Sequence, residues 1–572
     1  MMASRKSIKE ESEIHQSELS DNFEGLKLLK NIAISSRGPH GKVKVIQNLA
    51  GGHVTLTSSS GRLLPALSIS RPLLKLLTTS AEGQIQTFGD GGLFLMACCL
   101  NIVELSEYSL TGNRILIEIF EELMELALGE LKSDNFLGKI HLSLSNTVQI
   151  LSLVKTILSS KPLCKLSEDS VNHLASMIVE CFLSSVKDDK NTNSVLILTA
   201  EGKSVNQSHH LPGILMLYPE ISSFSKKKLH FITKDEKIVV ALVTTSMSGD
   251  SEEVIQGRYQ QNIEVDAEQT VIECMKSFCH CIKDCDVGIV MCQKVVHPII
   301  KSQLRQSGIF VVERMGAKLT SFVQDLTGAT PMESFSCKPE KYLGSLDTVN
   351  HVILNKKSYL HLQRASSGMN TLVLCNLEEE MVSELKVVCE TALNTLQNIL
   401  QYPILLCGGG CWETCLCFHI KQKVKENQGF ILEKTKCTAS ALSAASEIFI
   451  KSVLQVAKTT GYSGAMMMTS FPTFHSWRVP LNSDDFDHDN VLTCNCGMVT
   501  EPAKKLMPVN EVNLTILKVD TVLKEEVCKL QQISQSKSCV VDSYISNVSA
   551  FRKAVFTAIM MLNVGNCLQD IN

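Results

Sequence analysis

The stretch QTFGDGGLFL, Gln86 to Leu95, decides how this chain is read. Gly89-Asp90-Gly91 has the composition of a backbone turn that approaches a phosphate, with one carboxylate placed to hold a metal ion. The next two residues, Gly92 and Leu93, bring no hydroxyl to that phosphate. The turn is either a working nucleotide loop or the frame of one. Two more glycine turns stand at a distance: Gly38-Pro39-His40-Gly41 upstream and Gly408-Gly409-Gly410-Cys411-Trp412-Glu413 downstream. None is a Walker A loop or a dinucleotide fingerprint, and each alone is only a turn.

The bulk properties narrow the classes. A chain of 572 residues exceeds one ordinary core, which predicts two to four domains. With 44% hydrophobic and 20% charged residues it reads as globular. The net charge of −4, with no basic run interleaved with aromatics, sets aside a nucleic-acid surface. The N-terminal MMASRKSIKEESEIHQ has no apolar leader segment, and runs such as LFLMACCL fall short of the roughly 20 residues a membrane span needs. The expectation is a cytosolic protein without membrane insertion, whose 22 cysteines stay reduced. Two cysteine clusters, Cys274, Cys279, Cys281, Cys285 and Cys407, Cys411, Cys415, Cys417, contain no Cys-x-x-Cys knuckle. Both are read as buried thiols.

Along the chain the hydrophobic period changes twice. The first 150 residues are mostly helical; in ILIEIFEELMELALGELK, Leu116, Phe120, Leu123 and Ala127 share one face and the glutamates turn away. Helix continues over 149–186 and ends in the polar run KDDKNTNS. Short β-rich runs follow at SVLILTA, KIVVALVTT, VGIVMC and GIFVVE, with helical segments between the last three, the mark of an α/β layer. Helical periodicity returns from Met381. The acidic FHSWRVPLNSDDFDHDN reads as a loop.

The three glycine turns, in this order, resemble those of the type II chaperonins, where a Gly-Pro-Lys-Gly loop, a Gly-Asp-Gly-Thr-Thr loop and a Gly-Gly-Gly-Ala-x-Glu turn converge on ATP. LTSSSGRLLPALSISRPLLKLL, TILSSK, VMCQKVVHP and LTGATP resemble further family segments, so the similarity covers almost the whole chain. The resemblance implies a multidomain fold: a helical equatorial domain over 1–148 and 407–572, a small intermediate domain over 149–207 and 369–406, and an α/β apical domain inserted at 208–368. The implied nucleotide-binding positions are Gly38, Pro39, Gly41, Gly89, Asp90, Gly91, Gly408, Gly409 and Gly410, with Asp90 the one surviving metal ligand.

The departures weigh against turnover. The family's acid after the first loop falls on Val43, its Asn-Asp-Gly acid on Ser59, its two threonines on Gly92 and Leu93, and the hinge acid that activates water on Ser383. Glu384 is adjacent, but one helical step points about 100° away. A positioned base contributes roughly 10²–10⁴ in rate, and each hydrogen bond to a charged phosphate about 1.5–3 kcal/mol. The chain is therefore expected not to be an enzyme and to need no cofactor, with weak ATP and magnesium binding left to backbone donors.

The resemblance is strongest to a divergent vertebrate branch of the family, carried by TSSS, LPGIL, MSGD and CNCG. It implies an assembly factor for the Bardet–Biedl coat complex that builds cilia. It would work with other chaperonin-like proteins of that group and with cytosolic chaperonin subunits, in the cytosol and at the centrosome or basal body. The expected partner-binding residues are Ile300 and Leu304 in PIIKSQLRQSG and Leu319 and Phe322 in AKLTSFVQDLTG. The polar run 247–262, where the family carries its lid, shows no helix pattern.

Overall fold

The computed structural model describes residues 13–17, 23–47, 52, 54–186, 194–218, 237–248, 267–335, 338–460, 465–470, 474–480, 494–499, 507–508, 539–565 and 567–571. These form two units, residues 1–179 with 378–572, and residues 180–377. Most of the polar run 247–262 lies outside the described residues, as does most of KDDKNTNS.

The first unit is helical and centres on the helix Gly92–Glu107. From Gly92 to Val103 every residue of it is buried, so it has no solvated face and belongs at the middle of a core. The helices Phe23–Ser35, Pro72–Phe88, Ala439–Lys458 and Tyr544–Leu562 pack around it. Asn113–Lys132 is two-sided as its pattern predicts, with Leu116, Phe120, Leu123 and Ala127 fully buried. Tyr544–Leu562 is long and apolar enough to cross a membrane by composition, but Ala550, Phe551, Ala554, Val555 and Ala558 are buried in this core.

A three-stranded antiparallel sheet ties distant segments of this unit together. Ile404–Cys407 lies between Lys139–His141 and Val541–Ser543, with Leu405 opposite Ile140 and Ser543. Cys407 leads into the third glycine turn, and Asp542 sits across the sheet from Leu406. The segment expected as an acidic loop is in part a strand: His475–Pro480 pairs with Ala465–Ser470, Met468 opposite Trp477. Phe474, His475, Ser476 and Trp477 are all buried, so the strand has no in–out alternation to announce it, and the acidic residues that follow it in the sequence suggest a loop; those lie outside the described residues.

The second unit is α/β. Its four-stranded sheet runs in the order Phe310–Val312, Ile289–Cys292, Ile238–Val243, Gly344–Leu346; the first three strands are parallel and the last antiparallel. Helices Ala267–Asp284 and Pro298–Gln306 make the crossovers that parallel strands require. Two three-stranded sheets complete it, one centred on Lys357–Gln363 and one on Asn370–Asn376.

This packing corrects the expected partner-binding residues. Ile300 and Leu304 are 0% and 1% exposed and belong to the core beneath the sheet strands. Phe322 is buried and Leu319 half-buried against the core on the strands Ile214–Leu217 and Ile238–Val243. Their 3–4-residue spacing marks an apolar face, and the sheet already covers it. The exposed apolar side chain of the first helix is its neighbour Ile299, at 51%.

Candidate nucleotide site

The three glycine turns meet. Gly89 ends the helix Pro72–Phe88 at φ +78°, and Gly91 opens the helix Gly92–Glu107 at φ +91°. Two left-handed residues so close let the chain reverse between two helices and leave the free N–H groups of the second pointing outward. The third turn repeats the device: Gly410, at φ +88°, opens the helix Cys411–Glu426. Gly38, Pro39, Asp90, Gly91 and Gly409 line a single cavity of about 870 Å³. Gly41, Gly89, Gly408 and Gly410 belong to the same turns without forming its wall. Asp90 is exposed within it.

The cavity wall also holds residues outside the expected nucleotide-binding positions: Arg37, Asp542, and Glu413 at the end of the third turn. Arg37 donates to Val456 O at 3.1 Å and Thr459 Oγ1 at 2.9 Å, and its guanidinium lies 5.4 Å from the centre of the Phe94 ring. Burial holds its pKa down, opposed by the charges of Glu413, Asp542 and Asp90. Glu413 is pushed up to about 8, chiefly by burial, with Arg37 pulling the other way, and its Oε2 has no hydrogen-bond partner. Asp542 is pushed up to about 7 by burial and by the charge of Asp90, again opposed by Arg37. One cation therefore sits among three carboxyl groups. Lys155 and Lys161 add positive charge from the Thr147–Ser159 helix and the turn after it. Asp542 carried no sequence signal, because only strand pairing brings it to the turns.

Leu93 and Phe94 turn hydrocarbon to the cavity where the family's phosphate-binding hydroxyls are expected. Behind them Gly92 is closely packed: a Cβ there would lie 2.8 Å from Ile85 Cδ1. The space a threonine would need has been filled.

Glu384 does not reach this cavity. Its carboxylate is fully buried and accepts from Thr57 Oγ1 at 2.7 Å, Ser58 N at 3.0 Å, Ser58 Oγ at 3.2 Å and Ser59 Oγ at 2.7 Å. Arg62 stands 3.5 Å away. The TSSS stretch is thus a cradle for a structural carboxylate. Ser383, one step along the helix Glu379–Gln401, is half-buried and carries no charge.

ATP and magnesium are the ligands this family implies. The backbone donors of the glycine turns and the Asp90 carboxylate fit a phosphate and its metal ion; Leu93 and the Arg37-filled acid cluster do not add to that fit.

A helical unit whose glycine turns converge on one cavity, continuous with an α/β unit, defines the chaperonin class. The match to the TCP-1/cpn60 chaperonin family runs over residues 29–571, and the chain belongs to that family. It is 30% identical over 557 residues to the human protein named Molecular chaperone MKKS, covering 96% of each chain, and 29% identical to its mouse counterpart over 554 residues. It is 22% identical over 529 residues to the thermosome gamma subunit of Saccharolobus shibatae, covering 89% of this chain and 94% of that one. A chaperonin-like role follows.

Proposed function

We propose that this chain is a non-hydrolysing chaperonin-like assembly factor, working through partner binding on the Bardet–Biedl coat complex during cilium formation. The carrying observation is Leu93, which lines the cavity where a phosphate-binding hydroxyl is expected. Two further features support it: Ser383 offers no base, and Glu384, the nearest alternative, is committed to the Thr57–Ser59 hydrogen bonds. Similarity to MKKS, the McKusick–Kaufman protein, supports the coat complex as client and other chaperonin-like proteins and cytosolic chaperonin subunits as companions. The same similarity supports a cytosolic and centrosomal location. In this reading the equatorial portion is 1–148 and 407–572, the intermediate portion 149–207 and 369–406, and the apical portion 208–368. ATP with magnesium binds weakly, on glycine-turn backbone and Asp90.

The test is ATP hydrolysis by the full chain with magnesium, against Asp90→Ala. The expected result is no turnover above that variant. Turnover that Asp90→Ala abolishes overturns the reading. Co-purification with coat subunits, and failure of the coat to assemble on depletion, separates an assembly factor from an inert scaffold.

A further inference from the structure

Three segments far apart in the chain bring four soft donor atoms together behind the third glycine turn. Cys411 is the first residue of the helix Cys411–Glu426, and His475 opens the strand His475–Pro480. Cys494 and Cys496 flank Asn495 on a tight turn closed by Gly497 N–H donating to Cys494 O at 2.9 Å. That turn is fixed to the strand by Asn495 N–H donating to Ser476 O at 2.8 Å and by the bridge between Trp477 and Cys494. Sγ of Cys494 lies 3.3 Å from Sγ of Cys411, 3.4 Å from Sγ of Cys496 and 3.1 Å from Nδ1 of His475; Sγ of Cys496 is 3.3 Å from the same nitrogen. All four residues are buried, and the four donor atoms lie within 4.8 Å of one another.

We infer that Cys411, His475, Cys494 and Cys496 bind one structural zinc ion through three sulfurs and Nδ1. Three thiolates and one imidazole with no oxygen donor suit zinc and exclude magnesium or calcium, and four protein donors leave no open position for catalysis. Zinc–sulfur bonds of about 2.3 Å give sulfur–sulfur edges of roughly 3.8 Å in a tetrahedron, so the sulfur pairs at 3.3 and 3.4 Å open by a few tenths of an ångström. The sulfurs are well beyond the ~2.05 Å of a disulfide, and none of these cysteines is bridged. Binding converts three thiols to thiolates and releases three protons, leaving a site of net charge −1. Ser476 N–H already points at Cys411 Sγ, at 3.4 Å, and the N-terminus of a 16-residue helix favours the negative charge. Cys494 gives up its contact with Ser476 O, which keeps the Asn495 N–H.

The site explains how the third turn is held. Asn495, between the two cysteines, donates from Nδ2 to Gly409 O at 3.1 Å, and a Cβ on Gly409 would lie 2.7 Å from Asn495 Cβ. Zinc therefore clamps the glycine turn from behind, whether or not a nucleotide binds in front.

Elemental analysis of the full chain, purified without chelator, tests this. One zinc per chain is expected, falling at least tenfold in Cys494→Ser, Cys496→Ser and His475→Ala. Cys417→Ser, on the same helix but outside the cluster, keeps its zinc. Exchange of cobalt into the wild-type chain gives a readout independent of any variant's folding: intense visible bands of tetrahedral cobalt with thiolate charge-transfer absorption. A wild-type chain without metal and without that spectrum overturns the proposal, as does full zinc retention in folded Cys494→Ser and His475→Ala. A Cys411–Cys494 disulfide found by mass spectrometry, or rapid alkylation of all three thiols in the native chain, overturns it as well.

Discussion

Asp542 shows how a half-buried group reports on the cavity it lines. Its carboxyl has an ordinary pKa near 3.8 and is held at about 7 in the folded chain. Between those values the native state keeps a proton that the unfolded chain has released, so stability falls as pH rises from about 4 to about 7 and is level above. Three pH units correspond to about 4 kcal/mol. Asp542→Asn removes the titration. Denaturant unfolding should find it more stable than wild type at pH 8, by up to that amount, and little different at pH 4. A variant less stable at pH 8 would mean that attraction to Arg37 outweighs the burial of the charge. No feature of the sequence announced Asp542, because an acid in a strand carries no pattern of its own. The zinc ligands were hidden for a related reason. Cys411 and Cys494 are 83 residues apart, and the spacing Cys-x-Cys with a remote histidine is not a knuckle. The sequence makes Cys411 a buried thiol, and burial alone does not distinguish such a thiol from a ligand.

At the scale of elements, the turn between the helices Pro72–Phe88 and Gly92–Glu107 was legible because left-handed backbone demands glycine wherever it occurs. What was not legible is the packing behind it. Sequence comparison treats Gly92 and Leu93 as two lost hydroxyls of equal standing. They differ: Leu93 faces the cavity, whereas a Cβ on Gly92 would meet Ile85 at 2.8 Å and Ser60 Cβ at 3.2 Å. Restoring threonine at 93 alone is expected to tighten magnesium-ATP binding up to about tenfold, the worth of one modest charge-assisted hydrogen bond. Gly92→Thr alone should gain nothing. The combination Ile85→Ala, Gly92→Thr, Leu93→Thr makes room for both hydroxyls and should bind tightest. None should turn ATP over while position 383 is serine. Titration calorimetry reads the affinities, and an unchanged affinity in the triple variant would show that the hydroxyls are not what the site lacks. The helices Pro298–Gln306 and Gly316–Thr327 mark the same limit. Periodicity found their apolar faces but could not say that the sheet covers them, since a core face and a docking face have one spacing.

Across the whole molecule, the change of hydrophobic period near residue 190 and again near 380 made the insertion visible, and the two units divide at 179/180 and 377/378. Their dependence on chain continuity differs. The unit 180–377 carries a contiguous core, with Val240, Leu242, Ile289, Met291 and Leu346 on one face of its sheet and Ala241, Val290, Ile300 and Leu304 on the other. The other unit is assembled from both ends of the chain: the helix Gly92–Glu107 is sandwiched by Ala439–Lys458 and Tyr544–Leu562, and Phe120 packs on Phe449 with ring centres 6.1 Å apart. A fragment of residues 1–179 would expose the buried side of that central helix. Expressed alone, 180–377 is expected to fold and melt cooperatively, because its sheet is covered by its own helices. The fragment 1–179 should remain unfolded or aggregate until 378–572 is supplied in trans. Circular dichroism melts of the two fragments, with and without 378–572, decide it. A cooperative melt of 1–179 alone would mean that the N-terminal helices close a core of their own, and that the C-terminal helices dock on a unit already formed rather than complete it.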